Sequence, residues 1–238
     1  MHFYRSLNPI KALTFDLDDT LYDNTPFMAK AEAALMDVLK QYEPLQHIQL
    51  SDFNRVKQHV LIDEPDIYHD VLIWRAAAIR RFLMLNGITD NHKLEQITDL
   101  AMDEFVVWRN KITVPSESLN TLNALAQKFP LAVITNGNAD IAKIGLEQYF
   151  QFSLRGGADG LSKPYNDMFT LASERLNIPL NHILHVGDNL YADVQGAINS
   201  GMQACWINEF DIDLYQQRLA RVVPHIEITQ LSELNNLL

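Results

Sequence analysis

The sequence predicts an α/β fold in which a parallel sheet with crossover helices carries an all-helical insert after its first strand. The first strand is the short apolar run Ala12–Phe15, because a strand buried on both faces is a continuous apolar segment. Between Pro26 and Trp108, apolar residues recur at helical spacing without a strand pattern. From Pro130 onward, short apolar runs alternate with amphipathic segments, which is typical of parallel strands joined by helices.

Three amphipathic stripes define the insert, and each could face the core of a small helical bundle. The stripes consist of Phe27, Ala31, Ala34, Leu35, Val38 and Tyr42; of Ile67, Val71, Trp74, Ala78 and Phe82; and of Leu94, Ile97, Ala101, Phe105 and Trp108. Gly87 follows the middle stripe and suits the left-handed position after a helix. We therefore expect an insert of residues 21–112 and a core of residues 1–20 with 113–238.

The rest of the chain predicts the other core elements. Strands are expected at 131–135, 152–155, 182–187, 203–207 and 226–228. Helices are expected at 116–128, 139–149, 165–177, 190–200, 212–220 and 230–238. The segments 21–25 and 110–115 would be the hinges between insert and core.

Carboxylates follow the first strand at once, at Asp16, Asp18 and Asp19. Carboxylates at a strand end must be solvated, paired or bound to a cation, because an unpaired buried charge is costly. Asp16 and Asp18 lie two residues apart, so both could point the same way and share a hard cation. An acidic turn without further function is the alternative interpretation.

Two more predicted strands end in polar residues. Thr135, Asn136 and Gly137 follow one of them, and Asp188 follows another. Because ligands bind at the carboxyl ends of strands in an open parallel sheet, these residues should converge with Asp16. Each group alone has an ordinary explanation, since polar residues are frequent in turns and acidic residues at helix N-termini.

Taken together with Lys163 and Asp193, these residues resemble the four motifs of the haloacid dehalogenase-like (HAD) hydrolase superfamily. The motifs are DxDxT from Asp16 to Thr20, a strand-terminal Thr at Thr135, a Lys at Lys163, and GDxxxxD ending at Asp193. All four are intact and in order. The resemblance implies a Rossmann-like sheet core, the HAD fold, with the insert as a helical C1 cap over the active site.

The resemblance also implies a phosphatase mechanism. Asp16 would be the nucleophile that forms an aspartyl-phosphate, and Asp18 the general acid and base. Magnesium would be the cofactor, held by Asp16, the backbone carbonyl of Asp18, and Asp188. The phosphoryl group would be bound by the Thr135 hydroxyl, the backbone amides of Asn136 and Gly137, and the Lys163 ammonium. Asp193 and Thr20 would support these groups without touching the substrate.

The motifs leave several activities open. A haloacid dehalogenase is disfavoured, because that branch lacks the second aspartate, Asp18 here. A P-type ATPase would carry Thr at that position and large membrane parts. A phosphomutase or phosphotransferase of the same fold and a catalytically silent binding protein stay as alternatives, although the intact motif set speaks against the silent protein.

Further segments resemble the bacterial HAD phosphatases that hydrolyse FMN and the riboflavin-pathway intermediate 5-amino-6-(5-phospho-D-ribitylamino)uracil. The segments are 3–5, 12–24, 65–74, 134–138 and 200–207. Within the insert, Tyr68, His69, Arg75 and Arg109 are candidates for substrate contact, while Trp74 and Trp108 are expected to pack in its core.

Composition limits the partners and the compartment. The 238 residues carry a net charge of −11, which argues against nucleic acid or an anionic membrane surface as the main partner. A small phosphorylated metabolite stays compatible, because a bound cation and one lysine can reverse the local field. The single cysteine, Cys205, excludes an internal disulfide and suits a cytoplasmic protein. We expect a monomer or a small homo-oligomer, and we expect His182 and His185 to be packed or surface residues.

Overall fold

The computed structural model describes residues 1–209, 212–217 and 221–238. The chain divides into two compact units. The sheet unit consists of Met1–Asp23 and Thr113–Leu238, and the helical unit consists of Asn24–Ile112.

A seven-stranded, mostly parallel sheet forms the centre of the sheet unit. Its strands are β1 (His2–Phe3), β2 (Ala12–Phe15), β3 (Leu131–Thr135), β4 (Ser153–Arg155), β5 (Ile183–Gly187), β6 (Gln203–Ile207) and β7 (Ile226–Ile228). Their spatial order is β1-β7-β6-β5-β2-β3-β4. Only the β1–β7 pair is antiparallel among the strands described. The predicted α/β fold with a parallel sheet is confirmed.

Three adjacent strands in the middle of the sheet position the candidate site. Every residue of β2, β3 and β5 is buried, as their continuous apolar sequences predict. Phe15, the last residue of β2, lies opposite Val133 of β3 and Val186 of β5. The loops that follow these three strands therefore begin side by side at one edge of the sheet.

The helices of the sheet unit are short. Among the described residues, the α-helices of this unit are α5 (Ser116–Ala126), α6 (Asp167–Leu176) and α7 (Gly196–Ser200). The four α-helices that come before them in the chain belong to the helical unit. Met168 and Phe169 of α6 and Ala197 of α7 belong to one fully buried cluster with Ile134 and Ile183 of the sheet. This packing fixes α6 and α7 on one face of the sheet.

Several predicted helices were wrong. The segment 139–149 forms turns and a 3-10 helix over Glu147–Tyr149. The reason is local: the Asp140 carboxylate accepts from the Ala142 N–H at 3.0 Å, and Gly145 adopts a φ of +75°. A side chain that bonds the backbone in this way competes with helix formation, and a left-handed glycine ends it.

Three other predicted helices contain π-helical or 3-10 structure in place of one continuous α-helix. The segment 190–200 splits into a π-helix (Leu190–Gln195) followed by α7. The predicted C-terminal helix is a 3-10 helix over Leu231–Leu237. The predicted helix 212–220 is reduced to a 3-10 turn at Leu214–Gln216, and its last three residues lie outside the described residues.

The helical unit contains four long helices around its own core. They are α1 (Thr25–Leu39), α2 (Leu50–Asp63), α3 (Val71–Leu85) and α4 (Asn91–Arg109). Phe53 of α2 and Phe82 of α3 meet edge to face at 5.7 Å within this core. Among the described helices of the chain, none has the length and apolar character needed to cross a membrane.

The candidate contact residues of the helical unit are less available than expected. Trp74 and Trp108 pack against the core as predicted. His69 and Arg75 are buried, and Tyr68 is half-buried. The Arg75 guanidinium lies 3.7 Å from the centre of the Phe105 ring, an arrangement that stabilises the packed unit.

Candidate active site

The loop after β2 holds the predicted nucleophile at the edge of the sheet. The Asp16 N–H still donates to the Val186 carbonyl of β5 at 2.9 Å. Two residues later the Tyr22 hydroxyl donates to Asp18 Oδ1 at 2.7 Å, and Asp19 takes a left-handed φ of 57°. Asp tolerates this backbone better than most residues, because its short polar side chain can bond locally. The sequence Asp16–Tyr22 thus folds into a tight loop that fixes both carboxylates.

Lys163 is the cation of the site. It is 3% exposed, and its Nζ lies 2.9 Å from Asp16 Oδ1. The same ammonium donates to Asp193 Oδ1 at 2.6 Å and to the Ile134 carbonyl at 2.7 Å. Burial lowers the pKa of Lys163, but attraction by Asp16 and Asp193 outweighs burial, so the pKa is raised above its ordinary value. Lys163 is thus a buried, paired cation and not a solvated surface residue.

Asn136 ties the loop after β3 to the segment that carries Lys163. Its side-chain amide donates to the Lys163 carbonyl at 2.9 Å, and its Oδ1 accepts from the Lys163 N–H at 2.7 Å. These paired bonds fix the backbone from which the Lys163 side chain extends. The sequence predicted only the backbone of Asn136 as a phosphate donor, so this function of its side chain was missed.

Thr135 and Gly137 complete the loop after β3. The Gly137 N–H donates to Thr135 Oγ1 at 3.0 Å. A Cβ atom at Gly137 would lie 2.6 Å from Asp18 Oδ2, closer than real contacts allow. Glycine at this position therefore lets the backbone N–H groups approach the Asp18 carboxylate.

Asp188 and Asp193 come from the segment after β5. Thr20 Oγ1 donates to Asp188 Oδ1 at 3.2 Å, and the Trp206 indole donates to the Asp188 carbonyl at 2.7 Å. Asp193 is 1% exposed, and its Oδ2 accepts from the Asn189 N–H at 3.0 Å. Thr20 and Asp193 thus each contact a predicted site residue.

A buried histidine also belongs to this cluster. His185 Nε2 lies 3.0 Å from Asp193 Oδ1, the oxygen that also receives the Lys163 ammonium. The sequence placed His185 among packed or surface histidines on a strand. A histidine within an otherwise apolar, fully buried strand is the signal that could have indicated a polar partner.

The carboxylates of the site repel one another. Burial, followed by repulsion from neighbouring aspartates, raises the pKa of Asp188 to about 7. Burial also raises the pKa of Asp16 to about 6, although Lys163 opposes this shift. Asp193 differs: its pKa is lowered, since attraction by Lys163 and the His185 bond outweigh burial. The site therefore has more negative charge than its lysine can balance.

This donor set fits a divalent cation. One carboxylate oxygen each of Asp16, Asp188 and Asp193 lie within 4.8 Å of one another. Oxygen ligands are those that hard cations prefer, and a cation would relieve the repulsion that raises the pKa of Asp16 and Asp188. Both Asp193 oxygens already accept hydrogen bonds, so Asp16 and Asp188 are the better placed ligands.

Comparison with known proteins is consistent with this geometry. The model of a hydrolase family, haloacid dehalogenase-like hydrolase, matches residues 10–201. The chain belongs to this hydrolase family. The match includes all the motif residues and the helical unit.

Relatives with described activities include two phosphatases. The chain is 47% identical, over the full length of both proteins, to the 5-amino-6-(5-phospho-D-ribitylamino)uracil phosphatase YigB of Escherichia coli (strain K12). It is 25% identical to a glyceraldehyde 3-phosphate phosphatase of Pyrococcus furiosus, over 94% of this chain and 91% of that protein.

Among solved structures, a 2-haloacid dehalogenase from Pseudomonas syringae pv. Tomato DC3000 superimposes with a TM-score of 0.87. The two sequences are 34% identical, with 96% of this chain and 97% of that chain covered. This likeness confirms the HAD fold. The activity named for that protein is dehalogenation and not phosphate hydrolysis.

Proposed function

We propose that this protein is a Mg²⁺-dependent phosphomonoester hydrolase that acts through an aspartyl-phosphate intermediate. The observation that supports this most directly is the ion pair at 2.9 Å between buried Lys163 and half-buried Asp16. An Asp188 oxygen lies within 4.8 Å of an Asp16 oxygen, and the Asp18 carboxylate is a charged neighbour of Asp16. The arrangement offers a carboxylate for attack, a second carboxylate for proton transfer and a cation for the phosphoryl oxygens.

In the first half-reaction, an Asp16 carboxylate oxygen attacks phosphorus and the bond from phosphorus to the ester oxygen breaks. Asp18 gives its proton to the departing alkoxide, so an alcohol leaves and an acyl phosphate stays on Asp16. Magnesium, when bound by Asp16, Asp188 and the Asp18 carbonyl, supplies charge neutralisation for the phosphoryl oxygens. Lys163 supplies a second positive charge at the same oxygens.

In the second half-reaction, water attacks phosphorus and the Asp16–phosphate bond breaks. The Asp18 carboxylate accepts the proton of this water, which restores both aspartates and releases inorganic phosphate. Thr135 Oγ1 and the N–H groups of Asn136 and Gly137 bind the phosphoryl oxygens through both steps. Because the Gly137 N–H donates to Thr135 Oγ1 in this structure, it would exchange or share that bond when phosphate binds.

The substrate proposed is 5-amino-6-(5-phospho-D-ribitylamino)uracil, FMN, or both, in riboflavin metabolism. Identity of 47% over the whole of both chains to the YigB phosphatase supports this choice. The segment 65–74, which resembles the same subgroup, lies in the helical unit and spans the start of α3.

We also propose that the helical unit is the C1 cap, hinged at 21–25 and 110–115. Its sequence lies between β2 and β3, and it has a hydrophobic core of its own. A unit with its own core can move as a body. A monomer or small homo-oligomer in the cytoplasm stays a prediction.

Haloacid dehalogenase activity is the second candidate, because a structure 34% identical carries that description. The Asp18 carboxylate argues against it: a phosphate ester needs an acid for its leaving alcohol, and this group is present and held by Tyr22. A phosphotransferase would use the same groups but deliver the phosphoryl group to a sugar hydroxyl.

The test measures phosphate release from both riboflavin-pathway esters and several sugar phosphates, and chloride release from 2-chloropropionate. Each reaction is run with Mg²⁺ and with EDTA, for the parent protein, Asp16→Asn, and the surface control Asp37→Asn on α1. We expect Mg²⁺-dependent release that is lost in Asp16→Asn and retained in Asp37→Asn. Chloride release would instead assign a dehalogenase, and phosphate retained on an isomeric product would assign a mutase.

A further inference from the structure

We propose that His185 is a positioning residue that, through Asp193, holds the Lys163 ammonium against Asp16. The inference rests on the proposed function, because it concerns the cation of that site. It adds a residue of β5 that the four motifs do not include.

Side-chain contacts lead from Thr14 through His185 and Asp193 to the ion pair of the site. Thr14 Oγ1 lies 2.9 Å from His185 Nδ1, and His185 Nε2 lies 3.0 Å from Asp193 Oδ1. Asp193 Oδ1 accepts from Lys163 Nζ, which pairs with Asp16. Thr14 and His185 are direct partners in the β2–β5 register. The contacts therefore start at Thr14 on β2 and end at Asp16, the residue that directly follows this strand.

The partners assign the ring tautomer. A carboxylate oxygen that carries a negative charge only accepts, so Nε2 holds the proton and donates to Asp193. Nδ1 then accepts from the Thr14 hydroxyl. His185 is fully buried, and burial lowers its pKa, which keeps the ring neutral. The ring of Phe169 meets His185 edge to face at 5.1 Å and limits its rotation.

The arrangement explains what the histidine contributes. The Lys163 ammonium donates to Asp193 and to the Ile134 carbonyl, and it forms an ion pair with Asp16. Of these partners, the Ile134 carbonyl is fixed by β3, whereas the Asp16 and Asp193 carboxylates could turn about their side-chain bonds. His185 and the Asn189 N–H hold the two Asp193 oxygens in place. Without His185, the Asp193 carboxylate loses the hydrogen bond that its Oδ1 accepts from the ring. The carboxylate can then turn, and it no longer holds the Lys163 ammonium in one orientation toward Asp16.

Three variants separate positioning from packing. His185→Leu fills much of the ring volume but donates no hydrogen bond, whereas His185→Gln places an amide N–H near the position of Nε2. His182→Leu is the matched control, since His182 ends the 3-10 turn at the opposite end of β5. The hydrogen bond described for its side chain is to the Pro9 carbonyl. We expect kcat to fall by about 10- to 100-fold in His185→Leu. Glutamine should restore most of it, and His182→Leu should match the parent.

A double-mutant cycle tests whether His185 acts through Asp193. In the Asp193→Asn background, we expect His185→Leu to cause no further loss of kcat, because the link to Lys163 is already broken. A merely structural role predicts losses that multiply. Multiplying losses, or a His185→Gln variant as slow as His185→Leu at equal melting temperature, would overturn the proposal.

Binding of inorganic phosphate gives a readout that needs no turnover. Calorimetric titration with Mg²⁺ present should show weaker phosphate binding in His185→Leu than in the parent and in His185→Gln. If His185→Leu does not fold, Thr14→Val keeps the ring and removes its acceptor bond, and it should show a smaller loss of the same kind. Phosphate binding as tight as that of the parent in these variants would overturn the positioning role of His185 and leave the proposed function standing. A parent protein that binds phosphate but hydrolyses no ester overturns the proposed function alone.

Discussion

Gly187, the last residue of β5, shows how one missing side chain shapes the site. A Cβ atom there would lie 2.2 Å from Asp193 Cγ. We expect Gly187→Ala to displace the Asp193 carboxylate from Lys163 and to lower kcat by at least about tenfold, which is about 1.4 kcal/mol in the barrier. Overpacking should also cost about 1–3 kcal/mol of stability. Steady-state kinetics and thermal unfolding measure both effects.

Gly87→Ala is the control for this substitution. Gly87 has a φ of +85°, and no atom lies within 4 Å of its would-be Cβ. A left-handed alanine costs about 1–2 kcal/mol, so stability should fall while kcat stays unchanged. A Gly187→Ala protein with parent kcat would contradict the close fit of Asp193 to β5.

Asn136 offers a second residue-scale prediction. Asn136→Ala removes the two bonds that hold the Lys163 backbone. Each bond contributes about 1 kcal/mol, so loss of both would weaken the hold on Lys163 by about 2 kcal/mol. We therefore expect kcat/KM to fall by up to about 30-fold. Asn123→Ala, exposed on α5, is the matched control. Equal kcat/KM for both variants would show that Lys163 holds its position without Asn136.

The sequence could identify charged site residues but not the groups that hold them. Asp16, Asp188 and Lys163 were predicted because each stands in a motif that follows a strand or loop. The contact of Asn136 with the Lys163 backbone joins residues 27 apart in the chain, and no local pattern records such a pair. His185 was assigned to packing, since alternation along a strand gives a side chain's direction and not its partner.

At the scale of elements, strands were predicted better than helices. Strands such as β3 and β5 are buried on both faces, so their whole length is apolar and their bounds are visible in the sequence. Helical spacing at 139–149 was also visible, but the Asp140 side chain and the left-handed Gly145 prevent the helix. The two-residue β1 was missed, because it is too short to show a pattern.

The start of α3 gives a prediction at this scale. Asp70 caps the helix, and its Oδ1 accepts from the N–H groups of Leu72 and Ile73 at 2.9 and 3.1 Å. We expect Asp70→Ala to cost about 1 kcal/mol of stability. Asp99→Ala, at an exposed position within α4, should change stability by less than about 0.5 kcal/mol. Chemical denaturation compares them, and equal midpoints would mean that the cap does not limit helical-unit stability.

At the scale of the whole molecule, the described residues of the helical unit and those of the sheet unit form separate hydrophobic clusters. Leu35, Phe53 and Phe105 belong to the core of the helical unit, whereas Ile134 and Phe169 belong to that of the sheet unit. The carboxylates of the candidate active site all come from the sheet unit. The division means that stability of the site depends on the sheet and its loops, and that substitutions in the helical core should first affect the helical unit.

Because the site has more carboxylates than cations, the folding stability of the protein should depend on pH and on a bound divalent cation. The pKa of Asp16 and that of Asp188 are raised by burial to about 6 and about 7. Because the pKa of each carboxyl is higher in the folded than in the unfolded protein, its contribution to folding stability is fully present below the unfolded pKa of about 4. This contribution is lost as the pH rises through the folded-state pKa values. Without a divalent cation, the melting temperature should therefore fall between about pH 5 and pH 8.

Added Mg²⁺ should reverse this loss, because the metal binds the ionised carboxylates and stabilises only the folded state. We expect the rise in melting temperature on adding Mg²⁺ to be larger at about pH 8 than at about pH 5, where protons compete with the cation. In Asp188→Asn, both the metal-induced rise and part of the pH dependence without metal should be lost, while Asp37→Asn should behave as the parent. An equal Mg²⁺ effect at both pH values, or in Asp188→Asn, would place the cation elsewhere than at Asp16 and Asp188.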